Sequence, residues 1–247
     1  MKTIVGVNTL ESVASFVYAS HCKMWCEIKK DFPDDEFIFY TPYRMSIDNM
    51  RNDVARIALE HNCDYIMFID DDVIVMPDCY KLLRQAGKDI VAAITFIRGY
   101  PFHPMFFKDL GTITEPNGKR RQNIGYHDDY LETVDKETGL VKTAAVGFSC
   151  VLIKVDMLRE MSPPYFVTGP GHTEDVYFCL KANNELDPAP EIYVHTGCKT
   201  GHLMMPDAVS TENVELLRKY YKPEITDEDA VKFRMKDHIR LVIQEMS

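Results

Sequence analysis

The stretch YIMFIDDDVIV, residues 65–75, runs five apolar residues straight into Asp70, Asp71 and Asp72. A short apolar run without polar alternation suits a strand buried on both faces of a parallel sheet. Three adjacent carboxylates repel one another unless a divalent cation or a hydrogen-bonding ligand joins them. Ligands of open α/β sheets bind beyond the carboxyl ends of the strands, where these acids fall. A plainer reading also stands, in which the acids cap the next helix or line a solvated loop.

Outward from this stretch, strands and helices alternate. TIVGV (3–7), EFIFY (36–40) and DIVAAIT (89–95) are β-rich runs. Val13, Phe16, Val17, Met24 and Ile28 recur at helical spacing, as do Ile47, Met50, Val54, Ile57 and Ala58 behind Ser46, a candidate N-cap. A short helix is expected over 78–86. This alternation predicts an α/β layer with a parallel sheet. After Arg98 the order changes, and residues 100–145 are rich in Pro, Gly, Asp and Tyr. DKETGLVKTAAVG (135–147) reads as a hairpin turning at Gly139. SCVLIKVDMLREM (149–161) reads as a strand running into a short helix. A helix is expected from Thr173, and EIYVHT (191–196) as a last short strand before GHL (201–203). Beyond Met205 the spacing is helical again. The chain divides into one domain over 1–205 and a helical C-terminal extension over 206–247 packed on it.

With 46% hydrophobic and 27% charged residues, the 247-residue chain can bury a real core. No apolar run reaches the ~20 residues that span a bilayer, and the N-terminus turns polar too early for a signal peptide. A soluble, cytoplasmic protein without an integral membrane segment is expected. Seven cysteines, an odd number with no CxxC pair, read as free thiols; Cys22, Cys26 and His21 do not complete a zinc site. The net charge of −10 opposes nonspecific binding to nucleic acid or anionic membranes. NGKRRQ (117–122) is the local exception, a basic turn that reads most simply as a solvated face.

Further residues add chemistry to the acidic strand end. Thr173 stands at a helix N-cap with Glu174 and Asp175 in the first turn, so either acid could be a general base held ionised by the helix N-terminus. His202 follows a strand and could give a neutral imidazole to a cation. A P-loop ATPase is excluded, because GxxxxGK[ST] occurs nowhere in the chain.

Taken in order, IVGVNTLES, MRNDVARIAL, FIDDDV, AAVGFSCVLIKVDML, TEDVYFCLKA and IYVHTGCKTGHL resemble the segments of a GT-A-fold glycosyltransferase of the family 2 type, over residues 1–205. The resemblance implies a GT-A, Rossmann-like fold: a mixed, mainly parallel sheet flanked by helices, with the helical tail appended. It also implies a nucleotide-diphosphate sugar donor, UDP- or GDP-linked. Asp70-Asp71-Asp72 then correspond to the DxD motif, Asp70 and Asp71 on the nucleotide side and Asp72 on Mn²⁺ or Mg²⁺. His202 matches the late histidine of the metal site, and an imidazole among oxygen ligands favours Mn²⁺. Arg51 matches a cation facing the nucleotide, Asn8 lies where the first loop meets the base, and Asp175, or its neighbour Glu174, matches the catalytic base. Transfer with inversion to an acceptor hydroxyl is implied.

The first strand ends in Asn-Thr where many members have Pro-Thr, and no QxxRW motif follows, which disfavours a processive synthase. The acceptor is open among glycan, protein, small molecule and, least favoured by charge, nucleic acid. Aromatics over 96–166, including Tyr100, Tyr126 and Tyr130, either line a sugar groove or fill the core. Two rival readings stay open: a nucleotidyltransferase or sugar-nucleotide pyrophosphorylase, and a noncatalytic sugar-binding protein of the same fold. The former should carry a Gly-rich, basic signature after the first strand, where this chain has NTLESVAS.

Overall fold

The computed structural model describes residues 1–10, 12–114, 120–204 and 207–220; side chains over 110–124, 205–208 and at 220 are not described. In chain order the elements are β1 (Lys2–Asn8), α1 (Ser15–Asp31), β2 (Glu36–Tyr40), α2 (Ile47–Glu60), β3 (Tyr65–Asp70), β4 (Val73–Val75), α3 (Cys79–Ala86) and β5 (Ile90–Ile94). There follow β6 (Phe106–Thr114), β7 (Arg120–Tyr126), α4 (Tyr130–Thr133), β8 (Leu140–Lys142), β9 (Ala145–Val146), β10 (Cys150–Lys154), α5 (Asp156–Glu160), α6 (Glu174–Glu185), β11 (Ile192–Met204), β12 (Asp207–Val209) and α7 (Val214–Tyr220).

The apolar run of residues 65–69 is β3, buried along its length until Asp70. It pairs in parallel with β1, placing Asn8 beside Asp70. The main path of the sheet is β12-β11-β5-β10-β3-β1-β2. Five of these seven strands run the same way; β10 and β12 are reversed. The sheet is therefore mixed and mainly parallel, with antiparallel β10 inserted between β3 and β5. Apolar pattern alone does not report strand direction, so the sequence carries no sign of this insertion.

Helix α2 lies tight on β1. A Cβ on Gly6 would meet Val54 Cγ2 at 2.9 Å, so glycine at that position permits the close approach. One large core joins α2, α6 and one face of the sheet, and a second joins α1, α3 and the other.

Three expectations need correction. EIYVHT is not a short strand: it opens β11, which continues for 13 residues through GHL, with a register shift between His195 and Lys199. The 135–147 hairpin does not form. Its turn exists, with Gly139 at φ 71° and Asp135 accepting from the Glu137 and Thr138 amides. However, β8 pairs with β11 and β9 with β6. The chain beyond 205 begins with strand β12 on β11 before helix α7; the helical pattern past Tyr220 lies outside the described residues, as do residues 117–119 and the side chains of 120–122 in the basic turn. No helix among the described residues is long and apolar enough to cross a membrane.

Candidate active site at the carboxyl ends of the strands

A cleft of about 580 Å³ opens where β1 and β3 end and α6 begins. Asn8, Arg51, Asp70, Asp71, Asp72, Glu174, Asp175 and His202, which come from separate stretches of the sequence, all border it.

Arg51 forms its inner wall. The residue is 2% exposed, and its guanidinium donates Nε to Glu174 (3.0 Å), Nη2 to Asp70 (3.1 Å) and Nη1 to the Phe148 carbonyl (3.1 Å). The Phe68 and Phe148 rings lie against it. A cation facing the nucleotide was expected here; the guanidinium instead has its donors directed to the protein's own acids, which it orients toward the cleft. Burial pushes the Asp70 carboxyl up to about 6 against the pull of Arg51, with the charge on Asp72 adding to the rise. Burial likewise raises Glu174, with Arg51 opposing and Asp175 reinforcing the shift.

Asp72 and His202 meet because β11 returns antiparallel to β4. His202 pairs with Val73, and the Leu203 amide donates to the Asp72 carbonyl at 2.8 Å. His202 Nδ1 lies 2.8 Å from the Phe96 carbonyl, which can only accept, so Nδ1 carries a proton. Nε2 then faces Asp72 Oδ1 at 3.5 Å. Neutral imidazole would set a lone pair against a carboxylate oxygen, a repulsion that a cation or a second proton relieves. Burial pushes the Asp72 carboxyl up, but its pairing with His202 and the charge of Arg98 outweigh it and hold the group below the ordinary range. Among the described residues, no three His, Cys, Asp or Glu side chains gather to hold a metal. Asp72 and His202 together offer one oxygen and one nitrogen, a donor pair of the kind a divalent cation accepts when other ligands complete its shell.

At the α6 N-terminus, Thr173 occupies the N-cap position without capping the helix through its side chain. Its hydroxyl donates to Asp175 Oδ1, which also accepts from the Val176 amide (2.7 Å). Asn8, also on the cleft, is 4% exposed, and among the described residues neither its amide nitrogen nor its amide oxygen has a partner; the Thr9 hydroxyl likewise has none among them. Buried polar groups left unpaired cost about 1–3 kcal/mol each. An orphaned amide bordering a cleft therefore points to a ligand that supplies both a donor and an acceptor.

Two further outcomes concern Arg98 and the aromatic residues. Arg98, not singled out in the sequence, donates Nη1 to Asp72 Oδ2 at 2.6 Å; an arginine in a Gly-Tyr-Pro loop gives no signal of a partner 26 positions away. Of the aromatics noted over 96–166, Phe96, Phe102, Phe106, Phe107, Tyr165 and Phe166 are buried in the core, Tyr126 and Tyr130 pack partly buried against it, and Tyr100 is 42% exposed; the phenyl ring bordering this cleft is that of Phe148.

The architecture is a mixed, mainly parallel sheet flanked by helices, of Rossmann-like type. No protein-family model matches the chain, and no curated protein matches its sequence. Among solved structures, A197 from STIV is similar with a TM-score of 0.53 at 17% identity, over 83% of this chain and 86% of that one. Mannose-1-phosphate geranyltransferase from Thermus thermophilus is similar at 10% identity and a TM-score of 0.38, over 87% of this chain and 77% of that one. The galactosyltransferase LgtC, solved with donor and acceptor sugar analogs, is similar at 13% identity and a TM-score of 0.28, over 66% of this chain and 60% of that one. At 17% identity the likeness to A197 concerns the fold alone.

Proposed function

We propose that the chain is a metal-dependent glycosyltransferase that moves a sugar from a nucleoside-diphosphate donor to an acceptor hydroxyl. The observation that carries the reading is the convergence in one cleft of an orphaned amide, a carboxylate–imidazole pair and an acid at a helix N-terminus.

Asn8 and Thr9 take the nucleoside, their unpartnered polar atoms meeting its base or ribose. Asp72 and His202 would hold Mn²⁺ or Mg²⁺, which would supply Lewis-acid stabilisation of the charge on the departing diphosphate. Arg51 fixes Glu174 and Asp70, so neither is the base. Both hydrogen bonds to Asp175 run to Oδ1, which leaves Oδ2 to take the acceptor proton. The acceptor oxygen bonds to the anomeric carbon as the carbon–oxygen bond to phosphate breaks, and the sugar inverts.

Release of nucleoside diphosphate from UDP- and GDP-sugars in Mn²⁺ tests this. Asp175→Asn is expected to lower release by about 10²–10⁴-fold, the usual size of general-base catalysis, while leaving nucleotide binding intact. Undiminished release in that variant would remove Asp175 from the chemistry.

A further inference from the structure

Arg98 immediately precedes the tip, residues 99–102, of the connection between β5 and β6. Backbone bonds from Met105 to Thr95, Ile97 to His103 and Phe102 to Gly99 close this connection into a narrow loop. Helix α7 clamps it from outside: Arg218 donates Nε to the Pro101 carbonyl (2.8 Å) and Nη2 to the Phe102 carbonyl (2.9 Å). The same loop supplies the Phe96 carbonyl that fixes His202. One loop thus addresses both halves of the Asp72–His202 pair, and its backbone is tied down while the Arg98 side chain is 54% exposed.

The Arg98 guanidinium occupies Asp72 Oδ2, while His202 faces Oδ1. A divalent cation at Asp72 and His202 would bring two cations to one carboxylate, so Arg98 and the cation compete for it. A diphosphate changes the balance. It adds negative charge next to the cation, and a guanidinium fork pairs with phosphate oxygens through two parallel bonds. The half-exposed Arg98 side chain can turn from Asp72 to such an anion without moving the clamped backbone.

We propose that Arg98 is an exchangeable counter-ion: it holds Asp72 when no cation is bound there and passes to the diphosphate when donor and cation bind, coupling the two binding events. This rests on the donor-site reading above. By linkage, the factor by which nucleotide strengthens cation binding equals the factor by which cation strengthens nucleotide binding. Arg98 raises that factor from both sides, because it opposes the cation when alone and holds the diphosphate once the cation is in place.

The test measures Mn²⁺ binding by the loss of the free-ion electron paramagnetic resonance signal, alone and with UDP or GDP. It compares the full chain, Arg98→Ala and Arg98→Lys. Arg98→Ala is expected to bind Mn²⁺ alone about threefold or more tightly than wild type, and its nucleotide–Mn²⁺ coupling factor to fall about tenfold. Arg98→Lys keeps a cation on Asp72 but lacks the fork, so Mn²⁺ alone should bind as in wild type while the coupling still falls. Melting of each unliganded variant reports that the loop has folded. A coupling factor within about threefold of wild type in Arg98→Ala, or weaker binding of Mn²⁺ alone, overturns the proposal and leaves the donor site standing. If wild type shows no nucleotide-dependent Mn²⁺ binding with either diphosphate, the donor-site reading falls and this proposal with it.

Discussion

Arg51 is the residue on which the inner wall of the cleft depends. At 2% exposure it faces two carboxylates and a carbonyl, so its removal would leave Glu174 buried and unpaired. Breaking a buried pair in this way typically costs about 3–5 kcal/mol. Arg51→Ala is expected to lose stability of about that size in urea denaturation. Arg51→Lys should recover only part of it, because an ammonium cannot reproduce the planar fork; full recovery would show that charge alone is required. Asp70 gives a pH signature of defined sign. Burial lifts its carboxyl to about 6, against the ~3.9 of an unfolded aspartate. The folded state binds this proton more tightly, so the group's contribution to stability is complete below about pH 4 and is lost as pH rises through about 6. Asp70→Asn should flatten that fall, which is on the order of 1–3 kcal/mol, while weakening nucleotide binding. An unchanged stability slope between about pH 4 and 7 would contradict this account.

At the scale of elements, the cleft is assembled by the contact of α2 with β1 and the return of β11 past β4. Gly6 allows the first: a methyl group there would press on Val54, and overpacking of this kind typically costs about 1–3 kcal/mol. Gly6→Ala is expected to lower the melting temperature. It should also weaken nucleotide binding, because α2 carries Arg51; lowered stability with unaltered binding would separate the packing from the site. The second contact explains what the sequence conceals. β3 is legible because an unbroken apolar run ending in acids has few other readings. β11 is not, since the small and polar residues of HTGCKTGH, with Gly197 and Gly201 among them, resemble a loop. Three of its pairing partners, β4, β5 and β8, also lie far from it in the chain. The histidine of GHL is nevertheless a signal in itself, and β11 is the strand that carries His202 to Asp72.

For the whole molecule, the α/β layer can be read from the alternation of strands and helices as far as Arg98, while the order of strands after it cannot. The reason is physical: periodicity reports which face of an element is buried, not which neighbour covers it. The candidate site shows the same division. Residue types and their order mark the acids, Asn8, Asp175 and His202, but Arg51's commitment to Glu174 and Arg98's hold on Asp72 are contacts across 123 and 26 positions. Net charge acts at this scale too. With −10 overall, an added polyanion should gain little from the bulk of the surface, so any binding of a nucleoside diphosphate would have to arise from the cleft itself.

The central claim is therefore tested most directly by thermal unfolding with UDP, GDP, CDP and dTDP, each with and without Mn²⁺. A ligand present at about 100 times its dissociation constant adds ~2.7 kcal/mol, or roughly 5–10 °C for a chain of this size. At least one nucleoside diphosphate should raise the melting temperature by that amount with Mn²⁺ and much less without it, and Asp72→Asn and His202→Ala should abolish the difference. Melting temperatures that no nucleotide moves in the presence of Mn²⁺ would contradict a donor site at the end of β3.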